Sequence, residues 1–229
     1  MIRKIKITIF MLLIAFFNIT AFAGTKEDIY SKLKCCNCGK PFTPCVCVHA
    51  KEIKGYIDAL LEVGLGKEEV FVKIAKKYTL DTIIDTALRE TVEKKIITEA
   101  GENRPQIFIK PLSYNLGKIS KRRGKLKLKV KLQNKGKEVL KITDLKTTCA
   151  CTTIKLKIKR YASPAFSTEG ATPGWEASIK PGGKGTLIIV TDLSHAHVHL
   201  GQMLRTVEIK SNDPLRSLIK VEFEAEIVK

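Results

Sequence analysis

The run Lys125-Leu126-Lys127-Leu128-Lys129-Val130-Lys131-Leu132 decides the fold, because apolar and charged residues alternate along it without a break. Successive side chains of a β-strand point to opposite faces of the sheet. The run therefore predicts a strand with apolar residues inward and lysines in water. Such a lysine row would also discourage an exposed sheet edge from pairing with another chain.

The same alternation returns at short intervals after this run. The turn signals Asn134-Lys135-Gly136-Lys137 and Asn212-Asp213-Pro214 separate some of the segments. Further predicted strands lie at residues 139–142, 154–159, 185–190, 205–210 and 219–225. About seven or eight short strands at this spacing predict an antiparallel immunoglobulin-like β-sandwich over residues 107–229.

The residues before the sandwich predict helices. Apolar residues recur every three or four positions after residue 50, and again within residues 67–78 and 80–97. Gly64-Leu65-Gly66 is typical of a helix end, since glycine tolerates the left-handed cap conformation. We expect an α+β multidomain protein, in which a small three-helix, cysteine-rich domain over residues 24–98 precedes a polar linker at 99–106 and then the sandwich.

The first 23 residues have the pattern of a secretory signal peptide. Arg3, Lys4 and Lys6 form a basic start, an apolar run follows from Ile7, and Ala21-Phe22-Ala23 supplies a small-x-small cleavage site. The apolar run is shorter than the about 20 residues of a comfortable membrane span. We expect a protein of the periplasm, or otherwise exported, that is soluble after cleavage and can form disulfides.

The formal net charge of +18 would favour nucleic acid as a partner in a cytosolic protein. For an exported protein we expect no nucleic acid. An anionic envelope surface or an acidic protein is then the natural counterpart. The simplest interpretation of the charge is a lysine-rich, solvated surface.

Residues 35–49 hold five of the chain's seven cysteines, a density that no hydrophobic core requires. In one interpretation Cys35 and Cys38 exchange disulfides, with a thiolate of lowered pKa at a helix start. In a second, zinc is bound by four thiolates with His49 as an alternate ligand. In a third, two disulfides staple a small domain. The four predicted zinc ligands are Cys35, Cys38, Cys45 and Cys47.

Two further groups of residues suit a metal ion. Cys149 and Cys151 are one residue apart, so on a strand they would share a face and form a labile redox pair or bind a soft metal such as copper(I). His195, His197 and His199 would share a side of an extended segment, as zinc, copper or nickel requires. Inert buried cysteines and a solvent-exposed loop are the alternatives. Zinc and copper are the candidate cofactors.

The sequence Leu33-Lys34-Cys35-Cys36-Asn37-Cys38 resembles the Leu-Arg-Cys-x-x-Cys start of the cytochrome c maturation protein H family. Leu60-Leu61-Glu62-Val63-Gly64 and Lys67-Glu68-Glu69-Val70 resemble later landmarks, so the likeness covers about residues 28–84. It differs at Thr79, where the family has glycine, and in having Cys36 inside the motif and Cys45 and Cys47 as additional thiols.

The resemblance implies a small exported three-helix thiol protein that keeps the haem-attachment cysteines of apocytochrome c reduced. The implied partner is apocytochrome c or another exported thiol protein. Cys35 would be the attacking thiol and Cys38 its resolving partner, which would make the chain a thiol-disulfide oxidoreductase.

The sandwich region resembles a bacterial immunoglobulin-like family of unknown function. The quoted landmarks are Tyr114-Asn115-Leu116-Gly117-Lys118-Ile119, Gln133-Asn134-Lys135-Gly136, Leu140-Lys141-Ile142, Thr148-Cys149-Ala150-Cys151-Thr152, Ile179-Lys180-Pro181-Gly182 and Ser211-Asn212-Asp213-Pro214. This resemblance implies a fold and leaves the activity open, because sandwiches host many functions. A docking module is the role we expect for it.

Overall fold

The computed structural model describes residues 26–36 and 38–229. The predicted signal peptide and its cleavage site lie outside these residues. The chain forms two compact units, one ending at Ile96 and the other running from Ile97 to Lys229. Within the described residues, no helix combines the length and the apolar character that crossing a membrane would require.

The first unit is helical. Residues 26–31 form α1, followed by α2 (Val48–Glu62), α3 (Lys67–Tyr78), a short 3-10 turn (Leu80–Thr82) and α4 (Thr86–Ala100). Gly64 has φ 81°, so it ends α2 in the left-handed conformation that its lack of a Cβ permits. The last helix continues through Ala100, into the first residues of the predicted linker.

The third predicted helix starts later than its apolar period suggests. The apolar period predicts one helix over residues 80–97, but α4 begins at Thr86. The Asp85 side chain accepts a hydrogen bond from the Leu88 N–H at 2.9 Å, which fixes the helix start. The preceding residues form the 3-10 turn and a bridge from Ile83 to Leu33. Hydrophobic period alone does not reveal such a break.

Buried apolar residues from every helix of the first unit form its core. Fully buried members include Ile29, Leu33, Phe42, Ile53, Ile57, Phe71, Ile74, Ile83 and Ile96. Phe42 belongs to the cysteine-rich loop and packs edge-on against Tyr30, with ring centroids 5.5 Å apart. The loop is therefore anchored to the helices by an aromatic side chain as well as by its backbone.

The second unit contains two five-stranded sheets in the described residues. The strands are β1 (Ile107–Ile109), β2 (Ser113–Ser120), β3 (Lys125–Asn134), β4 (Leu140–Thr147), β5 (Thr152–Ile158), β6 (Tyr161–Ala162), β7 (Ala177–Ile179), β8 (Lys184–Asp192), β9 (Gly201–Ser211) and β10 (Leu218–Val228). One sheet has the order β1-β3-β8-β5-β6 and the other β2-β10-β9-β4-β7. The alternating strands bury their apolar residues in one shared core, and Lys127, Lys129 and Lys131 remain exposed.

This architecture differs from the predicted antiparallel sandwich in two respects. The strand pair β2–β10 is parallel, whereas the other pairs are antiparallel. The extra strands are short: β1, β6 and β7 have three, two and three residues. Segments of this length carry no readable alternation, and the direction of a pair between distant strands depends on tertiary contacts.

A buried polar cluster closes one end of the sandwich. Asn134 donates to the carbonyls of Glu138 at 2.7 Å and Ile179 at 3.0 Å, and its side-chain oxygen accepts the Gly136 N–H at 2.9 Å. A Cβ at Gly136 would lie 2.1 Å from the Arg104 carbonyl oxygen, so only glycine fits there. The Asn-x-Gly landmark is therefore explained by a satisfied buried amide and a close backbone approach.

Candidate functional site

The cysteine-rich loop folds as a tight turn held by backbone hydrogen bonds. The Cys35 N–H donates to the Lys40 carbonyl at 2.9 Å, and the Gly39 N–H donates back to the Cys35 carbonyl at 2.9 Å. Gly39 adopts φ 68°, which suits glycine. Farther along the loop, Cys47 is the N-cap of α2 and its Sγ accepts the Ala50 N–H at 3.4 Å. The turn at Cys35 and the start of α2 at Cys47 thus bring their cysteine side chains close to each other.

The Sγ atoms of Cys35, Cys38, Cys45 and Cys47 all lie within 4.8 Å of one another. The pairs Cys35–Cys47, Cys38–Cys45 and Cys45–Cys47 are each separated by 3.5 Å. A disulfide needs about 2.05 Å between its sulfur atoms, so these are thiols. Metal–sulfur bonds of about 2.3 Å in a tetrahedral site place the sulfurs about 3.8 Å apart. The observed spacing matches such a site.

The four thiols differ in exposure. Cys35 and Cys45 are buried, Cys47 is half-buried and Cys38 is exposed. Lys54 donates to the Cys45 carbonyl at 3.1 Å, which secures the loop from outside. The group is therefore shielded by the core on the side of Cys35 and Cys45 and accessible to solvent at Cys38, where an ion could enter.

Backbone donors and burial set the pKa values of these thiols. The Ala50 N–H at the start of α2 lowers the pKa of Cys47 to about 7, and the Lys40 N–H lowers the pKa of Cys38. The Cys47 N–H favours the thiolate of Cys45, but burial and hydrogen bonds with its neighbours outweigh it and raise the pKa of Cys45 to about 11. Crowded thiolates repel one another, and a bound cation would relieve that repulsion.

The donor set fits a thiophilic ion. Four thiolates in tetrahedral arrangement suit zinc, and soft sulfur ligands also suit copper(I). Among the described residues, metal-ligating side chains come together in a group of three or more at these four cysteines. Neither Cys36, which is half-buried, nor the exposed His49 belongs to this group.

The remaining two cysteines form a disulfide, Cys149–Cys151. They do not lie on a strand as predicted, because β4 ends at Thr147 and β5 begins at Thr152. The connection is instead a tight turn in which the Thr152 N–H donates to the Cys149 carbonyl at 2.9 Å. As a disulfide, this pair offers no thiolate to a metal ion.

The histidine run approaches this disulfide at one residue. His197 Nδ1 lies 3.9 Å from Cys149 Sγ, and the His197 N–H donates to His195 Nδ1 at 3.1 Å. The segment forms turns instead of the extended chain that would place three imidazoles on one side. His199 is exposed, and the three histidines are not among the converging metal-ligating groups of the described residues.

Arg205 on β9 is the member of this site that the sequence did not indicate. Its Nε–H donates to Cys151 Sγ at 3.1 Å, and a terminal nitrogen donates to the His197 carbonyl at 2.9 Å. Partial burial lowers the pKa of the guanidinium. Arg205 is distant from both cysteines in sequence, and only the pairing of β9 with β4 brings it to them.

Residues 107–168 match the family described as "Protein of unknown function (DUF1573)". No curated protein matches the chain. The match agrees with the predicted immunoglobulin-like resemblance of the sandwich. The resemblance of the first unit to cytochrome c maturation protein H stays a prediction.

Solved structures resemble roughly half of the chain at low identity. They include a protein of unknown function from Porphyromonas gingivalis W83 (18% identity, TM-score 0.40, 55% of this chain and 49% of that one), the ASH / PapD-like domain of human CEP192 (12%, 0.36, 56% and 89%), and the periplasmic chaperone SfaE (13%, 0.35, 54% and 58%). The chain spans about half the length of the first of these.

Proposed function

We propose that this protein is an exported metal-binding protein whose cysteine-rich first unit holds one thiophilic ion, zinc before copper(I). The convergence of four sulfur atoms within 4.8 Å of one another carries this proposal. The immunoglobulin-like sandwich serves as a docking module, and the cysteine-rich part with helices α1 to α4 is organised around the ion.

The energetic role of the ion follows from the size of the first unit. A few short helices give a small core, and small domains commonly need a covalent or metallic staple. Metal bound only by the folded state contributes its binding free energy to folding. The ion would link the turn at Cys35 directly to the start of α2 at Cys47. Without it, the chain connects the two through the intervening loop.

Metal analysis of the full chain tests the proposal. We expect one zinc ion per chain after anaerobic purification, and visible thiolate-to-metal bands after exchange with cobalt(II). Cys45→Ser should abolish stoichiometric binding because it removes a buried ligand. Cys36→Ser is the matched control and should keep the ion. Absence of stoichiometric metal from the reduced wild-type chain, or equal loss in both variants, would contradict the proposal.

A second candidate is thiol-disulfide exchange in support of c-type cytochrome maturation, with apocytochrome c or another exported thiol protein as partner. The exposure of Cys38 and its 3.5 Å distance to Cys45 favour it. The Cys38 thiolate would attack a substrate disulfide, and Cys45 would then attack the Cys38 sulfur and release the reduced substrate. Cys35 is only 1% exposed, so Cys38 is the better attacking thiol.

Turnover separates the two candidates. Exchange predicts that the reduced full chain cleaves insulin disulfides at a rate that Cys38→Ser abolishes and Cys36→Ser retains. A stoichiometric ion that protects all four thiols from alkylation would exclude exchange and support the metal site.

The location and the partners of the chain are part of the same proposal. Its leader-like start favours export to the periplasm, and its basic surface would suit an anionic envelope. Cell fractionation with an antibody against the sandwich tests the location, and a cytoplasmic, full-length product would contradict it.

A further inference from the structure

The disulfide turn of the sandwich is surrounded by donors that a structural staple does not need. Cys149 Sγ accepts the Cys151 N–H at 3.2 Å and lies 3.9 Å from His197 Nδ1. Cys151 Sγ accepts the Arg205 Nε–H at 3.1 Å and lies 3.5 Å from the Thr152 hydroxyl. Each sulfur therefore has two donor-capable neighbours.

These donors favour the reduced state. A disulfide sulfur is a weak acceptor and gains little from an N–H group. A thiolate in the same place accepts charge-assisted hydrogen bonds, which are about twice as strong as neutral ones. The guanidinium of Arg205 also supplies a positive charge beside Cys151. The contacts of this turn therefore stabilise the two cysteines more as thiolates than as a disulfide.

Exposure assigns different roles to the two sulfurs. Cys151 is 3% exposed, whereas Cys149 is half-buried beside the exposed Ala150 and His197. An incoming thiolate can reach Cys149 and cannot reach Cys151. The sulfur that would leave is the one that Arg205 contacts.

We propose that Cys149–Cys151 is a redox-active disulfide that accepts two electrons from a dithiol, such as a Cys-x-x-Cys pair of another protein. This site is separate from the four-cysteine group and does not depend on the function proposed for it.

The exchange proceeds in two balanced steps. A thiolate of the dithiol attacks Cys149 Sγ, a mixed disulfide forms, the Cys149–Cys151 bond breaks, and Cys151 departs as a thiolate held by Arg205. The second thiol of the dithiol, as its thiolate, then attacks the dithiol's own sulfur in the mixed disulfide, and the bond from that sulfur to Cys149 breaks. The dithiol becomes a disulfide, and Cys149 leaves as a thiolate that takes its proton from His197 or water. The dithiol gives up two electrons and two protons in total: both electrons reduce the cysteine pair, Cys149 gains one proton, and the other proton is released to solvent because Cys151 stays a thiolate beside Arg205.

Differential alkylation of the full chain tests this inference with dithiothreitol as the probe. Trypsin cleavage after Lys146 and Lys155 yields one peptide with both cysteines and none of the other five. We expect no label on this peptide in the isolated protein and two labels after dithiothreitol treatment of the folded chain. A pair that is already reduced, or that opens only in denaturant, would overturn the proposal.

Arg205→Ala distinguishes stabilisation of the leaving thiolate from simple shielding of the sulfur. The proposal predicts reduction about tenfold slower, since a charge-assisted bond to the leaving group is lost. Arg160→Ala removes the same charge from an exposed position of the same unit and should leave the rate unchanged. An unchanged or faster rate in Arg205→Ala would overturn the proposal.

His197→Ala guards against misfolding of the arginine variant, because His197 is exposed and its loss spares the core. In a buffer of reduced and oxidised dithiothreitol, this variant should hold a larger oxidised fraction than wild type. An identical or smaller oxidised fraction would contradict the assigned role of His197.

Discussion

At the scale of single residues, Thr79 has the most clearly strained backbone conformation in the first unit. Its φ of 135° and ψ of 151° lie in a region that only glycine adopts readily. A side chain held there costs about 1–3 kcal/mol. The predicted resemblance to the cytochrome c maturation protein H family would place glycine at this position, and the threonine found here adopts the strained conformation instead.

Thr79→Gly should therefore stabilise the first unit. We expect a gain of about 1 kcal/mol in the free energy of unfolding, because relief of strain exceeds the entropy that glycine adds to the unfolded chain. Urea denaturation followed by the helical circular dichroism signal measures it. Thr91→Gly, inside α4, is the control and should destabilise; a loss in both variants would refute the strain.

The residues of the candidate sites were predictable where spacing in sequence implies spacing in space. Cys35, Cys38, Cys45 and Cys47 lie in one short loop, and the structure gathers their sulfurs. Arg205 was not predictable, because it reaches Cys151 through strand pairing over a separation of 54 residues. The exclusion of His49 from the sulfur group likewise depends on where α2 begins.

At the scale of elements, the cap of α4 links stability to pH. Two contacts lower the pKa of Asp85 below its ordinary value. The larger effect comes from the hydrogen bond of the Leu88 N–H, and the smaller one from the Lys32 side chain. A carboxyl whose pKa is depressed in the folded state adds stability above its unfolded pKa of about 3.9. That contribution is lost as the pH falls through the folded pKa.

Asp85→Ala should consequently destabilise the first unit at pH 7, and its difference from wild type should shrink below about pH 4. Chemical denaturation at a series of pH values, with both proteins in matched buffers, measures this difference. Asp81→Ala removes an equal charge from an exposed residue of the 3-10 turn and should cost less at pH 7. A difference that stays constant down to pH 3 would rule out the cap's titration.

Helices and strands were predictable to the extent that they are long and half-buried. The strand β3 shows its burial pattern directly in the alternation of leucine and lysine. The strands β1, β6 and β7 are too short to show one, and the start of α4 depends on a side-chain cap that interrupts a continuous apolar period.

At the scale of the whole molecule, two cores in one chain predict two unfolding transitions. Trp175, the single tryptophan, packs edge-on against Phe166 in the sandwich, with ring centroids 4.8 Å apart. Its fluorescence therefore reports on the second unit alone, and the helical signal reports mainly on the first.

Removing the proposed ion should affect only one of these transitions. With a strong chelator, the helical transition should fall by roughly 10 °C or more, because ligand binding at high saturation contributes about 4 kcal/mol to a small unit. The tryptophan transition should stay in place. Equal shifts of both signals, or no shift of the helical one, would contradict a metal site confined to the first unit.

The division into a helical unit and a β unit was predictable from the change of hydrophobic period, and the two five-stranded sheets agree with the predicted sandwich. The parallel pairing of β2 with β10 was not predictable from the sequence, because no local pattern specifies which distant strand becomes a neighbour.

That pairing has a kinetic consequence. β10 lies between β2 and β9, and it joins residues as far apart as Asn115 and Glu224, 109 positions along the chain. Until β10 has joined its sheet, β2 has no partner and β9 has an open edge. Contacts of such long range form late and slowly. The interval before β10 arrives is therefore when the nascent sandwich is most exposed to misassembly, and when its lysine rows would repel other copies.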